Sequence, residues 1–403
     1  MHKTKNTERL KPGWRRVKFG DVVQLSKARC ADPLAESVER YVGLEHLMPG
    51  DLRIRNWGNV ADGVTFTSVF RPGQVLFGKR RAYQRKVAVA DFSGVCSGDI
   101  YVLETRDANI LLPELLPFIC QTDAFFDHAV GTSAGSLSPR TNWTSLAAFE
   151  FSLPGAKEQQ RILQLLKTLE AYVEELGHCE IALQRLRASL SFVSFSGGGG
   201  HVLKPCAELI SSGHLTLQTG PFGTVLKASA YKTQGIPIVN PVNMKDGSLQ
   251  IDDGPFVGEE DWLRLEKYRM KTGDMVMGRK GDMSNLIYVR PEYNDYLVGS
   301  DCIRFRVDPE QIHPKYFFHF LRSEITQNWI QGQAYGTIMP GINEKILGRL
   351  MANIPSLDDQ SSVAAEFDDI ESSLLEIKLR MGNTRSLKLA TLRHTFDGGV
   401  NVQ

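Results

Sequence analysis

The chain has 403 residues, 42% of them hydrophobic and 23% charged, which predicts two or more globular domains and excludes a disordered or collagen-like protein. Basic and acidic residues nearly cancel, 47 against 46, so no overall positive charge marks a nucleic-acid-binding protein, although a balanced total can hide local patches. No apolar run is long enough for a membrane span, and the basic start is not followed by the apolar core of a signal peptide. The six widely spaced cysteines include no C-x-x-C pair, which favours reduced thiols and a cytoplasmic location.

The first 200 residues combine short strands, one helix and a much longer helix. Strands are predicted at residues 74–77, 87–91 and 100–103, and a helix at residues 115–128, shortly after a proline. A helix of 35 to 40 residues then carries apolar residues at spacings of four, three, four and three. These are Ile162, Leu166, Leu169, Val173 and Leu176. Beyond them the apolar phase slips to Cys179, Leu183, Leu186, Leu190 and Val193.

The second 200 residues repeat this order at an offset of about 201. Strands are predicted at residues 275–277, 286–289 and 303–307, and a helix at residues 316–330. The segment Leu153-Pro154-Gly155-Ala156-Lys157-Glu158-Gln159 recurs in outline as residues 354–360. The apolar heptad also recurs, at Val363, Phe367, Ile370, Leu374 and Ile377. The sequence therefore predicts two diverged copies of one unit, with globular domains at residues 1–153 and 197–354 and long helices at residues 154–196 and 355–403.

The two heptad seams indicate a coiled coil, because matching apolar stripes on two helices are buried by pairing. The alternative is two separate amphipathic helices, each packed on its own domain. The match between the seams favours their pairing.

A basic segment stands out in the first copy, where residues 71–90 carry six basic side chains and no acidic one. Arginine, lysine, glutamine and tyrosine side chains together suit contact with phosphates and recognition of base edges. The predicted DNA-contacting residues here are Lys79, Arg80, Arg81, Tyr83, Gln84, Arg85 and Lys86. The corresponding turn of the second copy contributes Arg279 and Lys280, flanked by Asp274 and Asp282. The alternative for either turn is a solvated basic loop.

A second candidate precedes each long helix, where short polar residues alternate with glycine. A backbone of this kind can approach a ligand closely. The candidates are Ser136, Arg140 and Asn142 in the first copy, and Thr337 and Asn343 in the second. The alternative is a simple connection between a helix and a strand.

Motifs that resemble catalytic sites lack their essential residues or context. Gly73 to Lys79 matches G-x-x-x-x-G-K, but Arg80 stands where a phosphate-binding loop needs Ser or Thr. Residues 131–135 match G-x-S-x-G, but they follow a predicted helix instead of a strand. The histidines show no metal-ligand spacing. We therefore expect a protein that is not an enzyme and holds no metal.

Three segments together resemble the specificity (S) subunits of type I restriction–modification systems. They are residues 219–238, which begin Thr-Gly-Pro-Phe-Gly-Thr-Val-Leu-Lys, residues 273–281 (Gly-Asp-Met-Val-Met-Gly-Arg-Lys-Gly) and residues 154–163, from Pro154 through Gln160 to Leu163. The resemblance implies an α+β protein in which two tandem α/β target recognition domains are separated by two long antiparallel coiled-coil helices with pseudo-twofold symmetry. Lys227, at the end of the first segment, joins the predicted DNA-contacting residues.

The resemblance also implies partners. They are double-stranded DNA with a bipartite target, two methyltransferase subunits and the restriction subunits, with no membrane. S-adenosylmethionine, ATP and Mg are expected on those partner subunits only, so this chain itself needs no cofactor. Residues 22–40 lack a counterpart of Gly220-Pro221-Phe222-Gly223, so the first copy departs from the pattern there. Two alternatives stay open: a target-recognition subunit of a combined cleavage and modification system, and a coiled-coil adaptor that binds no DNA.

Overall fold

The computed structural model describes residues 11–197, 203–245, 247–251, 254–281, 283–333 and 341–396. It divides into two compact units, the first made of residues 1–176 and 379–403 and the second of residues 177–378. Each unit combines a globular part of mixed strands and helices with a segment of both long helices. The predicted fold class, mixed α and β with two tandem domains, is confirmed.

The described residues in the globular part of the first unit form ten strands in three small sheets. The strands are β1 (Arg15–Lys18), β2 (Val23–Leu25), β3 (Arg40–Val42), β4 (Gly58–Asn59), β5 (Ser68–Phe70), β6 (Val75–Gly78), β7 (Val87–Val89), β8 (Gly94–Cys96), β9 (Ile100–Thr105) and β10 (Glu150–Leu153). The sheet orders are β2-β9-β6-β7, β4-β3-β8-β5 and β1-β10. The helices are α1 (Phe19–Val22), α2 (Leu116–Ile119), α3 (Asp123–Gly131), α4 (Trp143–Ala147) and the long α5 (Ala156–Phe195).

The second unit contains the remaining strands and helices. Its strands are β11 (Leu203–Pro205), β12 (Leu215–Thr219), β13 (Ile236–Val239), β14 (Met244–Lys245), β15 (Ser248–Leu249), β16 (Phe256–Val257), β17 (Met275–Gly278), β18 (Leu286–Tyr288), β19 (Leu297–Val298), β20 (Cys302–Val307) and β21 (Met351–Asn353). Its helices are α6 (Cys206–Ser211), α7 (Glu259–Arg264), α8 (Pro314–Arg322), α9 (Glu324–Gln333), α10 (Glu344–Leu347) and the long α11 (Leu357–Phe396).

The sheets of the two units share one topology. The order β2-β9-β6-β7 recurs as β12-β20-β17-β18, with every pair antiparallel. Strand β3 pairs with β8 in parallel, as β13 does with β19. Strand β1 pairs with the late strand β10, as β11 does with β21. The internal repeat predicted from sequence motifs is therefore present in the backbone.

The central strand of each unit is buried on both faces. In β6, Val75 and Phe77 pack against the helices of the globular part, while Leu76 packs on the other side against the second sheet. Strand β17 does the same with Met275 and Met277 on one face and Val276 on the other. Alternate side chains of a strand point to opposite faces, so these short apolar runs hold two layers together.

The prediction of one continuous helix at residues 115–128 and of another at residues 316–330 is wrong, because two helices occupy each range. In the first unit α2 ends at Ile119, and the Thr122 hydroxyl accepts a hydrogen bond from the Phe125 amide, starting α3. In the second unit Ser323 separates α8 from α9, and its hydroxyl accepts from the Thr326 amide at 3.2 Å. A short hydroxyl side chain that caps a new helix competes with continuation of the old one.

A buried glutamine anchors the start of each long helix. The Gln159 side chain accepts from the Leu112 amide at 3.0 Å and donates to the carbonyls of Ile110 and Pro154, both at 2.9 Å. Gln360 makes the same three kinds of bond, with the His313 amide and the carbonyls of Gln311 and Pro355. The recurring proline-to-glutamine motif therefore ties the first turn of α5 and α11 to the globular part.

The two long helices pack together, antiparallel, within each unit. In the first unit Ile162 and Leu166 share a core cluster with Leu392 and Phe396. In the second unit Phe195 stacks on Phe367, with ring centroids 5.5 Å apart and an interplanar angle of 14°. Residues early in one helix thus meet residues late in the other, and the predicted pairing is confirmed.

All ten predicted seam residues are buried or half-buried. The predicted change of phase after Leu176 is wrong, because Leu186 and Val193 are 54% and 67% exposed. The original spacing continues instead through Glu180, Leu183, Arg187 and Leu190, all half-buried. The apolar residues of that stretch suggest a slip only because polar residues occupy half of the later seam positions.

Candidate nucleic-acid interface

The basic turn of the first unit follows β6 and has a constrained backbone. Arg81 and Arg85 adopt left-handed conformations, with φ of 52° and 55°, on either side of one turn of 3₁₀ helix at Ala82–Gln84. Residues other than glycine rarely adopt such angles, and they do so where surrounding contacts hold them. Tyr83, in the middle of the turn, is 56% exposed.

The loop before the long helix lies against this turn, so the two sites predicted separately from the sequence form one surface. Ala134 and Arg140 exchange two backbone hydrogen bonds, of 3.0 and 2.9 Å, and close a tight loop. The Arg81 amide donates to the Pro139 carbonyl at 2.7 Å, and the Thr141 amide donates to the Lys79 carbonyl at 3.0 Å.

Asp99, just before β9, organises the cations of this surface. Its carboxylate accepts from Arg140 Nε at 2.8 Å and from an Arg80 terminal nitrogen at 3.2 Å. Burial alone would raise the pKa of Asp99, but the hydrogen bonds from Arg140 and Arg80 outweigh it and lower the pKa below its ordinary value. We call Lys79, Arg80, Arg81, Arg140 and Asp99 the first basic patch.

Three predicted residues of the basic turn make contacts inside the protein. Arg85 pairs with Asp123 at 2.6 Å and lies over the Phe126 ring, 4.7 Å from its centroid. Lys86 Nζ donates to the Leu44 carbonyl at 2.7 Å. Lys79 Nζ lies 4.7 Å from the centroid of the Tyr101 ring. Arg85 and Lys86 therefore join the turn to neighbouring segments, whereas Arg81 and Tyr83 are exposed.

The second unit builds its turn on the same backbone. The Arg279 amide donates to the Asp301 carbonyl at 2.8 Å and its carbonyl accepts from the Ile342 amide at 2.9 Å, matching the bonds that Lys79 makes with Asp99 and Thr141. Lys280 Nζ pairs with the Asp301 carboxylate at 2.8 Å. Gly341 bridges to Lys280 where Arg140 bridges to Arg80. We call Arg279, Lys280 and Asp301 the second basic patch. It lacks the cation that Arg140 supplies to the first basic patch, because Gly341 occupies the equivalent position.

The remaining predicted site residues take different places. Asn142 and Asn343 cap short helices, accepting from the amides of Ser145 at 2.8 Å and Ile346 at 2.9 Å, respectively. Ser136 and Lys227 are exposed, and Gln84 is half-buried. Thr337 and Asp282 lie outside the described residues.

Sequence reasoning missed Asp99 and Asp301, the carboxylates on which both patches are built. The signal available was an aspartate recurring immediately before the strand that pairs with the central strand, once in each copy. Aspartate is common in turns ahead of strands, where it often bonds to the local backbone. Only the ion pairs therefore identify the role of these two residues.

The fold has close parallels among solved structures. A chain from a structure describing complex assembly and conformational transition of the type I R-M system matches 96% of this chain and 98% of its own, at 18% identity and a TM-score of 0.59. The S subunit of a type I system from M. genitalium gives 14% identity and a TM-score of 0.57, covering 98% of both chains. The HsdS subunit from Thermoanaerobacter tengcongensis gives 18% and 0.50, covering 98% of this chain and 100% of its own. At these identities the likeness shows a shared fold.

Sequence comparison shows the family. The family model for the type I restriction modification DNA specificity domain matches residues 12–181 and again residues 223–380, once in each copy. The chain belongs to this family. The specificity subunit of the type I restriction enzyme EcoDI from Escherichia coli is 28% identical in a 173-residue alignment, which covers 40% of this chain and 36% of that relative. Among the described residues, no helix is both long and apolar enough to cross a membrane.

Proposed function

We propose that this chain is the DNA sequence-specificity subunit of a type I restriction–modification system. The globular part of each unit recognises one half of a bipartite target. The observation that carries the proposal is the pair of basic patches, built on equivalent backbone hydrogen bonds but with different side chains. A common scaffold with diverged side chains suits two recognition sites for two different half-sites, since base edges are distinguished by side-chain donors and acceptors.

The long helices are proposed to set the spacing between the half-sites. Both helices contribute to both units, and their pairing buries apolar residues in each. A rigid connection between two DNA-binding parts sets the separation of the sites they bind.

The partners follow from this role. We propose that the chain positions two methyltransferase subunits and the restriction subunits on DNA in the cytoplasm, and is not itself catalytic. S-adenosylmethionine, ATP and Mg are expected on those partners. The same family membership does not favour the alternative of an adaptor that binds no DNA.

The contribution of the first basic patch is tested with Arg81→Ala, assembled with the methyltransferase subunit of the proposed type I system. Arg81 is exposed, and its guanidinium Nε donates to the Ser138 hydroxyl at 3.2 Å. We expect weaker binding to target DNA and a fall of about one in the salt dependence of binding, as for one lost phosphate contact. Assembly of the complex should be unchanged.

The matched control is Arg71→Ala. Arg71 is also exposed and carries the same charge, but it precedes β6 whereas Arg81 follows it. Its replacement should leave the salt dependence of binding unchanged. Equal effects of both substitutions would indicate a diffuse contribution of charge and would contradict a localised patch. A complex with no affinity for DNA, and no methylated bipartite motif in cells that carry it, would overturn the proposed function.

The spacing role is tested by removing one heptad, in phase, from both α5 and α11. Seven residues shorten a helix by about 10 Å, equivalent to about three base pairs of DNA. Sequencing of methylated bases should then show the same two half-sites with a changed gap. New half-sites with an unchanged gap would contradict the proposal.

A further inference from the structure

Leu137 is the most exposed large apolar residue among those described, with 90% of its surface accessible. It occupies the tip of the loop closed by Ala134 and Arg140, between Ser136 and Ser138. Single exposed leucines are common on protein surfaces, so exposure alone indicates no function. The loop around Leu137 and the charges beside it distinguish this leucine from the others.

The tip of the loop is held by hydrogen bonds to the two residues that follow Leu137. The Ser138 hydroxyl accepts from Arg80 Nε at 2.9 Å and from Arg81 Nε at 3.2 Å. The adjoining Pro139 carbonyl accepts from the Arg81 amide, and Gly135 has a φ of 110°, which allows the chain to turn. An apolar side chain on a loop already ordered in this way binds a ligand with little further loss of conformational entropy.

The surroundings of Leu137 are cationic. Arg80 and Arg81 contact the next residue of the loop, and Arg140 closes it. One leucine among serines and arginines offers too little apolar area for a stable protein–protein interface, which buries about 800 Å² on each partner. The same arrangement fits duplex DNA, because the arginines can contact phosphates while a short apolar side chain reaches a base edge.

We propose that Leu137 recognises thymine by packing against its C5 methyl group in the half-site bound by the first unit. Thymine is the one base whose major-groove edge carries an apolar group, so it is the base that a leucine can distinguish. This inference rests on the proposed function and identifies a residue that determines specificity within it. An arginine contact to phosphate, such as the one expected of Arg81, does not depend on sequence, whereas the contact from Leu137 does.

The test replaces thymine by uracil, which removes only the C5 methyl group, at each thymine of the bipartite target in turn. Binding is measured with the complex assembled around the wild-type chain and around Leu137→Ala. In the half-site of the first unit, uracil at one position, or at two adjacent ones, should weaken wild-type binding about fourfold, the effect of one buried methyl group. The Leu137→Ala complex should bind thymine and uracil there equally well.

Leu34→Ala is the matched control, since Leu34 is 65% exposed in the same unit and lies in another segment of the chain. It should retain the wild-type preference for thymine. Methyl effects of equal size in wild-type and Leu137→Ala complexes at every position, or a half-site without thymine, would overturn the role of Leu137. In those outcomes target binding persists, whereas failure of the proposed function would abolish target binding altogether.

Discussion

The two units have the same backbone arrangement and differ in the charged side chains that it carries. Asp99 holds two arginines in the first unit, whereas Asp301 holds one lysine in the second, although the main-chain bonds beneath them are equivalent. The difference shows that the fold constrains the main-chain hydrogen bonds of the two basic patches. The polar side chains of the patches have diverged. The same contrast extends into the interior.

One internal difference between the two units lies beside the central strand. In the first unit Gln74 donates to Glu104 at 2.7 Å. In the second unit the equivalent positions hold Asp274, which is buried, and Arg306, whose Nε and terminal nitrogen both donate to Asp274 at 2.7 Å. Arg304, only 4% exposed, lies 3.8 Å from the same carboxylate, and burial together with the neighbouring Arg306 lowers its pKa to about 10. A neutral amide in one unit is thus replaced by a buried ion cluster in the other.

Asp274→Ala should therefore cause the largest loss of stability. Removing the carboxylate leaves the buried Arg304 without a counter-charge, which costs about 3–5 kcal/mol. Gln74→Ala removes a neutral donor and should cost about 1 kcal/mol. Native-state hydrogen exchange of the amides in β17 and β6 measures both values on the full chain. Equal losses in the two strands would contradict the distinction.

The buried glutamines should show the opposite result, namely equal effects in the two units. Gln159→Leu and Gln360→Leu each leave one amide and two carbonyls without their partner, and each should cost about 1–3 kcal/mol. Exchange of amides in the first turns of α5 and α11 provides the measurement. Gln160→Leu, at an exposed neighbouring position, should have little effect. A difference above about 1 kcal/mol between the two buried substitutions would show that the repeated anchor is not equivalent.

His319 makes the second unit sensitive to pH where the first unit has Phe118. Burial lowers the pKa of His319 and Arg322 lowers it further, against the opposing effects of Glu371 and Asp368. The unfolded chain, with an ordinary histidine pKa near about 6.5, then takes up the proton first as the pH falls. This contribution to stability is therefore complete above the unfolded pKa and is lost as the pH falls toward the folded one.

His319→Phe should remove that loss of stability, because phenylalanine does not titrate. The packing should be kept, because the imidazole of His319 stacks on the Phe367 ring and phenylalanine is the residue found at the equivalent position 118. The slope removed cannot exceed about 1.4 kcal/mol per pH unit, the value for one proton. Thermal unfolding across the range in which histidine titrates measures the slope. Phe118→His would test the converse in the first unit. An unchanged slope in His319→Phe would assign the pH dependence to other groups.

The smallest effect is expected at the junction of the long helices with the globular parts, where the charges are reversed. Glu114 faces Lys167 at 3.8 Å in the first unit, whereas Lys315 pairs with Asp368 in the second. Both side chains of the first pair are about half exposed. The double substitution Glu114→Lys with Lys167→Asp should therefore change stability by less than about 0.5 kcal/mol. A larger shift of the thermal midpoint that persists at high salt would show that the polarity of this pair matters.

Much of the architecture was predictable from recurring patterns. The strands around residues 75–78 and 275–278, the two 40-residue helices and the heptad seams all follow from apolar periodicity that occurs twice. The helix breaks at Thr122 and Ser323 were not predictable in the same way, because each lies in a short polar stretch, residues 121–123 and 322–324, that a continuous amphipathic helix can also carry. The seam in the second half of each long helix was not predicted, because polar residues such as Arg187 and Lys388 occupy some of its positions. A search for heptad periodicity counts apolar residues only.

The candidate site shows the same division. The basic turn at residues 79–86 and the loop at residues 134–140 are each identifiable from composition, yet they lie far apart in the chain. Their union depends on backbone bonds such as that from Arg81 to Pro139. The roles of Arg85 and Lys86 as internal contacts, and of Asp99 as the centre of the first basic patch, also depend on which side chains the fold brings within hydrogen-bonding distance.

The sequence by itself determined that the chain consists of two diverged copies, each with a globular part and a long helix, because periodicity and repetition are properties of residue order. Only the tertiary structure decided which cations stay exposed, which carboxylates hold them, and that Leu137 stands beside a serine that two arginines bind. These features depend on contacts between residues far apart in the chain, and such contacts form only when apolar burial brings the strands and helices together.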